Sequence, residues 1–310
     1  MAVPTFSYSD SAVRESLLDI ITNIDPMEDQ LYVGLQKSTA DQPLHQWLTD
    51  TLASVNNALV ANASGGNLGS EGADVTFNTL TNPSRSTNWT QIVVSPFQVS
   101  GTDRASNTAG FKDRFAYEMQ KAMKAWRRFA EFSLVRSTLV SGSVTTGTAG
   151  ARTLAGVKAQ ITTNLTSQSG VSLSESMLNS YLQNAWTAGG VVDAVYVGGA
   201  LKRRISSFVN TNTRFVEADS ESVNNVINIY ESDFGRVEVD KHRYVTLSGD
   251  NNNDIIGIQK DKWAVAHLRG REPHYEDIAK TGDSTKGMII GELTLEGRAQ
   301  NSSFYTQALL

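Results

Sequence analysis

Residues 111–135 read FKDRFAYEMQKAMKAWRRFAEFSLV, with no glycine or proline and an apolar residue at every third or fourth position. Phe111, Phe115, Met119, Ala122, Trp126 and Phe129 keep spacings of 4, 4, 3, 4 and 3, which places them on one face of a helix. Ser106 or Asn107 offers an N-cap and Gly142 a stop. A continuous helix from Asn107 to Leu139 is about 50 Å long at about 1.5 Å per residue, against a mean globular helix of about 11–12 residues. Such a rod is longer than the radius of a compact fold of 310 residues, so the flanking sequence has to account for it.

The segment before it, residues 40–103, combines β-branched and aromatic alternation at Thr90, Ile92, Val93, Val94, Phe97 and Val99 with a centre containing Gly65, Gly66, Gly69 and Gly72. This predicts a long two-stranded excursion with a glycine-rich tip; a disordered insertion is the other reading. An isolated ribbon is marginal in water, so an ordered one needs something to lie on, such as another subunit. The first thirty residues hold Asp10, Glu15, Asp19, Asp25, Glu28 and Asp29 against Arg14 alone, with helical spacing at Val13, Leu17, Leu18 and Ile21: an acidic arm with one short helix.

After the rod comes a small-residue connector with an apolar piece around Leu154, Val157 and Ile161. Helix SLSESMLNSYLQNAWTAGG, strand VVDAVYV, helix GGALKRRISSFV and the strand-like VINIYESDFGRVEVDKHRYVTL then alternate, which suggests a small α/β unit over roughly 171–254. Residues 255–310 read as further strands, which the long helix is available to cover.

Composition narrows the function. At 40% hydrophobic and 8% aromatic residues the chain is an ordinary globular one. Without cysteine it has no disulfide scaffold, thiolate zinc site or cysteine nucleophile. No apolar run is long enough to cross a membrane as a helix, and the start lacks the pattern of an export signal. The net charge of −5 argues against a dedicated nucleic-acid binder.

No catalytic signature is present. HLRGREPHYE gathers His267, Glu272, His274 and Glu276, which permits a metal site but reads better as a solvated charged loop. Gly198 and Gly199 after the strand VVDAVYV, with Lys202, form a generic anion site at a helix start, or simply a helix start with a basic face. No nucleophile elbow or phosphate-binding loop occurs, so catalytic residues, cofactors and metals are expected to be absent. Along the rod, Arg114 with Glu118 and Arg127 with Glu131 are placed to pair locally.

The order of parts carries more than any motif. NWTQIVVSPFQVSGTD before FAYEMQKAMKAWRRFAEFSLV, then ARTLAGVKAQITTN and the closing KDKWAVAHLRGREPHYEDIAKTGDSTKGMIIGELTLEGRAQNSSF, resemble segments of HK97-like major capsid proteins of tailed bacteriophages. The resemblance covers nearly the whole chain and implies an α+β fold. It divides the chain into an N-terminal arm (1–39), an extended β-hairpin loop (40–103), a peripheral domain with a spine helix (104–170), an inserted α/β axial domain (171–254) and the return strands of the peripheral domain (255–310). It further implies self-assembly into hexamers and pentamers of an icosahedral head around double-stranded DNA. The implied partners are a separate scaffold protein and a portal, with a cement protein as an optional one and DNA held without sequence specificity. The place implied is the virion, assembled in the host cytoplasm and independent of membranes. Some family members weld the shell from a lysine on the extended loop, but no lysine occurs from Ser38 to Gly110, so such a weld from this loop is excluded.

Charge suggests how copies meet. Residues 40–103 hold five acidic side chains, among them Asp50, Glu71 and Asp74, against Arg85 alone, a net of −4; residues 107–139 have a net of +4, with Lys121, Lys124, Arg127 and Arg128 among their cations. These eight residues are the candidate inter-subunit contacts, an acidic loop, with the acidic arm as a second candidate, lying on a neighbour's basic helix. An encapsulin-like nanocompartment shell is the nearest alternative, and an enzyme acting on an anionic substrate near Gly198 and Lys202 a more distant one.

Overall fold

A computed structural model describes residues 29–50, 71–72, 82–106, 113–142, 144–145, 148–208, 229–247 and 253–310. The long helix spans Arg114–Arg136, 23 residues or about 34 Å. It is shorter than the spacing suggests, for local reasons. Asp113 is extended and its side chain accepts the Phe115 N–H at 2.9 Å, so the cap lies at Asp113 and not at Ser106 or Asn107. Ser137 is extended too, and its carbonyl accepts the Gly156 N–H at 2.8 Å, which ends the helix before Gly142.

The buried seam is Ala122, Trp126, Ala130 and Leu134. Steps of four residues carry the seam about 40° further round the helix each time, which suits a rod crossing a twisted sheet. Phe129, expected on that face, is 49% exposed, and small Ala130 takes the inner position. Phe111 lies outside the described residues.

Beneath the helix is a five-stranded sheet built on the 14-residue strand Ser284–Gly297. Along one edge, Gln91–Ser100 pairs antiparallel with it from Leu293↔Gln91 to Ser284↔Ser100. Along the other, Trp263–Leu268 and His274–Ile278 pair antiparallel in succession, interrupted at residues 269–273. Gln36–Ala40 adds a parallel outer strand beside Trp263–Leu268. Val93, Val265, Ile289, Leu293 and Leu295 meet Trp126 and Leu134 in the core between sheet and helix.

Two segments join the body. Gln91–Ser100 belongs to this sheet, so within 40–103 the ribbon proper is Leu44–Thr49 paired with Ser84–Trp89. The helix Gln30–Gly34 and the strand Gln36–Ala40, counted with the arm, are part of the body. The short helix expected around Val13–Ile21 and the glycine-rich tip, Gly72 apart, lie outside the described residues.

The second sheet has six strands in the order Leu165–Val171, Phe304–Leu309, Asn253–Ile258, Ala194–Val197, Gly235–Lys241 and Ile229–Ser232. Helices Glu175–Thr187 and Gly199–Phe208 supply Leu178, Leu182, Leu201 and Ile205 to one face of it, against Val195, Val197, Ile255 and Phe304. The opposite face sends Ala194, Tyr196, Ile256, Ile258 and Tyr305 into the core of the long helix, so one sheet joins both cores. Three strands from outside 171–254, or at its border, therefore complete the α/β unit: Ala194–Val197 is buried on both faces and needs a paired strand on each side. Gly257 lies directly under the Phe304 ring, where an added methyl group would overlap it. Gly257→Ala is therefore expected to cost about 1–3 kcal/mol, read as a lower midpoint in chemical unfolding of the unassembled subunit.

Candidate assembly surfaces

The ribbon Leu44–Thr49/Ser84–Trp89 is rooted on the five-stranded sheet by polar contacts at its base. Asn88 is 1% exposed; its amide donates to the carbonyls of Leu295 (2.8 Å) and Ala155 (3.1 Å), and its Oδ1 accepts the Ala155 N–H at 2.8 Å. Trp47 Nε1 donates to the Gly297 carbonyl at 3.1 Å. His45 Nε2 lies 2.7 Å from Glu296 Oε1, and the Arg298 guanidinium holds Oε2 at 2.9–3.0 Å. These anchors fix the direction in which the ribbon leaves the body.

Burial pushes the Glu296 carboxyl up, but hydrogen bonds from His45, Ser38 and Arg298 outweigh it and hold it at about 2. Its folded pKa lies below its unfolded value, so the stabilisation is complete above the unfolded value of about 4.3 and is lost as pH falls toward about 2. Between those limits Glu296→Gln should show a flatter loss of melting temperature than the parent protein. Parallel slopes in calorimetry would show that the root is held elsewhere.

The second constellation is a buried carboxylate on the long helix. Glu131 and His242 side chains are both 0% exposed, and His242 Nε2 lies 2.7 Å from Glu131 Oε1. The same carboxylate accepts the N–H groups of Leu31 at 2.8 Å and Tyr32 at 2.7 Å. His242 Nδ1 accepts the Tyr244 N–H at 3.2 Å, so the ring proton is on Nε2, facing Glu131. One side chain thus ties the entering chain, the long helix and the exit of strand Gly235–Lys241 together.

The expected Arg127–Glu131 pair does not form, because Glu131 turns inward; Arg127 instead reaches Asp29 at 3.8 Å. Arg114 does pair with Glu118, at 3.1 Å. Lys121 lies 3.6 Å from Glu118, Arg128 donates to the Tyr244 hydroxyl at 3.4 Å, and Lys124 is exposed. On the loop, Asp50 and Glu71 are exposed, Arg85 donates to Gln46 Oε1 at 3.3 Å across the ribbon, and Asp74 lies outside the described residues.

The other sequence candidates come apart. Gly198 and Gly199 border a cleft of about 530 Å³ with Lys241, His242, Arg243 and Thr246, but Lys202 donates to the Val239 carbonyl and does not line it. His267 meets the Tyr32 hydroxyl at 3.3 Å, while exposed His274 contacts the Glu272 carbonyl. Among the described residues no three His, Cys, Asp or Glu side chains gather as a metal site, and no helix is long and apolar enough to cross a membrane. Sequence reasoning missed the Glu131–His242 pair, the His45–Glu296 pair and Asn88; a lone acid inside the apolar run AEFSLV was the one available signal.

A family model described as SU10 major capsid protein matches residues 4–307. The chain belongs to this family. It is an HK97-like major capsid protein, and its role is structural. No curated protein matches. The fold of this capsid protein is similar to that of the capsid of a native GTA particle, with a TM-score of 0.68, 9% identity and 100% of both chains covered. A Microbacterium phage Oxtober96 structure gives a TM-score of 0.63 at 9% identity over 96% of each chain. The holo-SrpI encapsulin complex from Synechococcus elongatus PCC 7942 gives 0.59 at 10% identity, over 99% of this chain and 95% of that one. At such identities these likenesses speak for the fold alone.

Proposed function

We propose that this capsid protein self-assembles into hexamers and pentamers that close an icosahedral head around double-stranded DNA. The match to the major capsid family over residues 4–307 carries the reading. On it, residues 1–39 act as an arm whose last part, from Gln30 on, is seated in the body, and 40–103 as an extended loop whose last strand, Gln91–Ser100, lies in the five-stranded sheet. Residues 104–170 and 255–310 form a peripheral domain around the spine helix, and 171–254 form the axial domain, completed by strands from outside it. The loop has no lysine, which supports a shell held by non-covalent contacts. A scaffold protein and a portal are the further partners, with a cement protein as an optional one, DNA is held without base readout, assembly takes place in the host cytoplasm, and no catalysis is assigned.

The contacts between copies run from the acidic ribbon, with Asp50, Glu71, Asp74 and Arg85, to the exposed cations Lys121, Lys124, Arg127 and Arg128 of a neighbour's helix. Exposed pairs contribute about 0–1 kcal/mol each, so they act on register and rate more than on final stability. Arg127→Glu with Arg128→Glu is expected to slow assembly about tenfold or more at low salt and to reduce its salt dependence, measured by light scattering. Unchanged kinetics would dismiss the contact. Electron microscopy of the expressed protein tests the larger claim: closed shells of uniform size are expected, and compact monomers under assembling conditions would refute it. The encapsulin likeness supports a nanocompartment at the level of fold only; a protein cargo within purified shells would favour it.

A further inference from the structure

The segment Gln30–Ala40 is seated on the body by few contacts. Helix Gln30–Gly34 has five residues and no side-chain cap, well below the length at which a helix stands alone in water. Strand Gln36–Ala40 lies at the edge of its sheet and, among the described residues, pairs with Trp263–Leu268 alone. Leu31 and Leu35 are buried and Glu131 accepts the Leu31 and Tyr32 amides, while Gln30 Oε1 is buried without a partner. Such a segment can open locally while the rest of the fold stays closed.

His267 stands where this segment meets the body. It lies opposite Thr39 of the edge strand, with its ring edge-on to Tyr32 at 5.8 Å and Nε2 3.3 Å from the Tyr32 hydroxyl. Lys37 Nζ sits 4.1 Å from the centre of the Tyr32 ring, and Trp126 meets that ring edge-on at 5.7 Å. His267 Nδ1 is sealed from solvent without a well-formed hydrogen bond, although a charged imidazole donates from both nitrogens. Burial first and Lys37 second push its pKa below the ordinary 6.5, against smaller upward pulls from the Glu292 main chain and Glu272. The other charges packed nearby are directed elsewhere. Glu131 holds the two amides and His242, Arg127 reaches Asp29, and Arg152 and Arg271 both turn to the Glu292 carboxylate.

We propose that His267 is an acid-sensitive latch on Gln30–Ala40: the neutral ring seats Tyr32 and Lys37, and on taking up a proton it lets the segment come off while the rest of the five-stranded sheet stays paired. Once the segment is off, the ring reaches water and takes a proton freely; beneath the seated segment it does so only against burial and Lys37. The latch is therefore fully closed above about pH 6.5, and below that each pH unit raises the opened fraction up to about tenfold until the seated ring titrates as well. Strand Gln36–Ala40 runs through residues 41–43 into the ribbon, so acid loosens one of the ribbon's two connections to the body at the same time. The latch belongs to the single subunit and stands apart from the assembly reading.

Hydrogen exchange in dilute, unassembled full-length subunits tests the latch. From about pH 7.5 to about pH 5.5, after correction for intrinsic rates, the amides of residues 31–40 should lose about tenfold in protection while those of residues 285–295 keep theirs. His267→Gln can still hydrogen-bond Tyr32 but takes no proton, so its protection at residues 31–40 should be the same at both pH values. Two further readings do not depend on that variant folding well. The imidazole resonance of His267 in the parent protein should titrate below 6.5, and Lys37→Met should raise that titration and shrink the acid response. Equal protection at both pH values in the parent, loss spread equally over residues 285–295, an imidazole titrating at or above 6.5, or an undiminished acid response in His267→Gln would each overturn the proposal.

Discussion

Alanine at Glu131 is expected to destabilise the unassembled subunit by about 3–5 kcal/mol, since three buried donors lose their acceptor at about 1–3 kcal/mol each. The Leu31 and Tyr32 amides and His242 Nε2 would lose their common buried acceptor. For a chain of this size the melting temperature should fall by roughly 10 °C. Glu131→Gln keeps the shape but turns an NH₂ group toward donors, so it should lose less than alanine and more than a surface change. A calorimetric shift under about 2 °C for Glu131→Ala would mean that the carboxylate is not the junction of these three elements.

Trp126→Ala should be of similar size, about 3–5 kcal/mol, through a different cause. Trp126 is 1% exposed, donates from Nε1 to the Val93 carbonyl at 2.9 Å and meets Tyr32 edge-on at 5.7 Å. Its indole lies so close over Gly291 that a Cβ there would be 2.7 Å away, so the ring is the contact between helix and central strand. Removing it leaves a cavity and takes one hydrogen bond from the Val93 carbonyl. Trp126→Phe, which fills most of the space, should recover the larger part of the loss; equal melting of all three proteins would show that the helix is held by other contacts.

The long helix was legible in the sequence because periodicity over two dozen residues is a strong signal, yet its ends were not. Ser106, Asn107 and Asp113 all suit a cap, and the choice falls to Asp113 through the local backbone path. Phe129 and Ala130 are interchangeable to a rule that counts apolar spacing, and the crossing angle with the sheet decides between them. The strand at Gln91–Ser100 was read as a strand but given the nearer partner, since its real one, Ser284–Gly297, is distant in sequence. Glu131 shows the same limit. The i, i+4 rule assigns it to Arg127, whereas its partner His242 is 111 residues away.

The rooting of the ribbon also constrains synthesis. His45 is made early, yet the Glu296 that orients it comes 251 residues later, and Gln36–Ala40 waits for Trp263–Leu268 in the same way. Closing loops of that length is slow and leaves strand edges open meanwhile. A nascent chain on the ribosome therefore has the sequence of the ribbon long before it has a base from which to project it. Truncated translation products that end before Glu296 lack the base on which the ribbon is set.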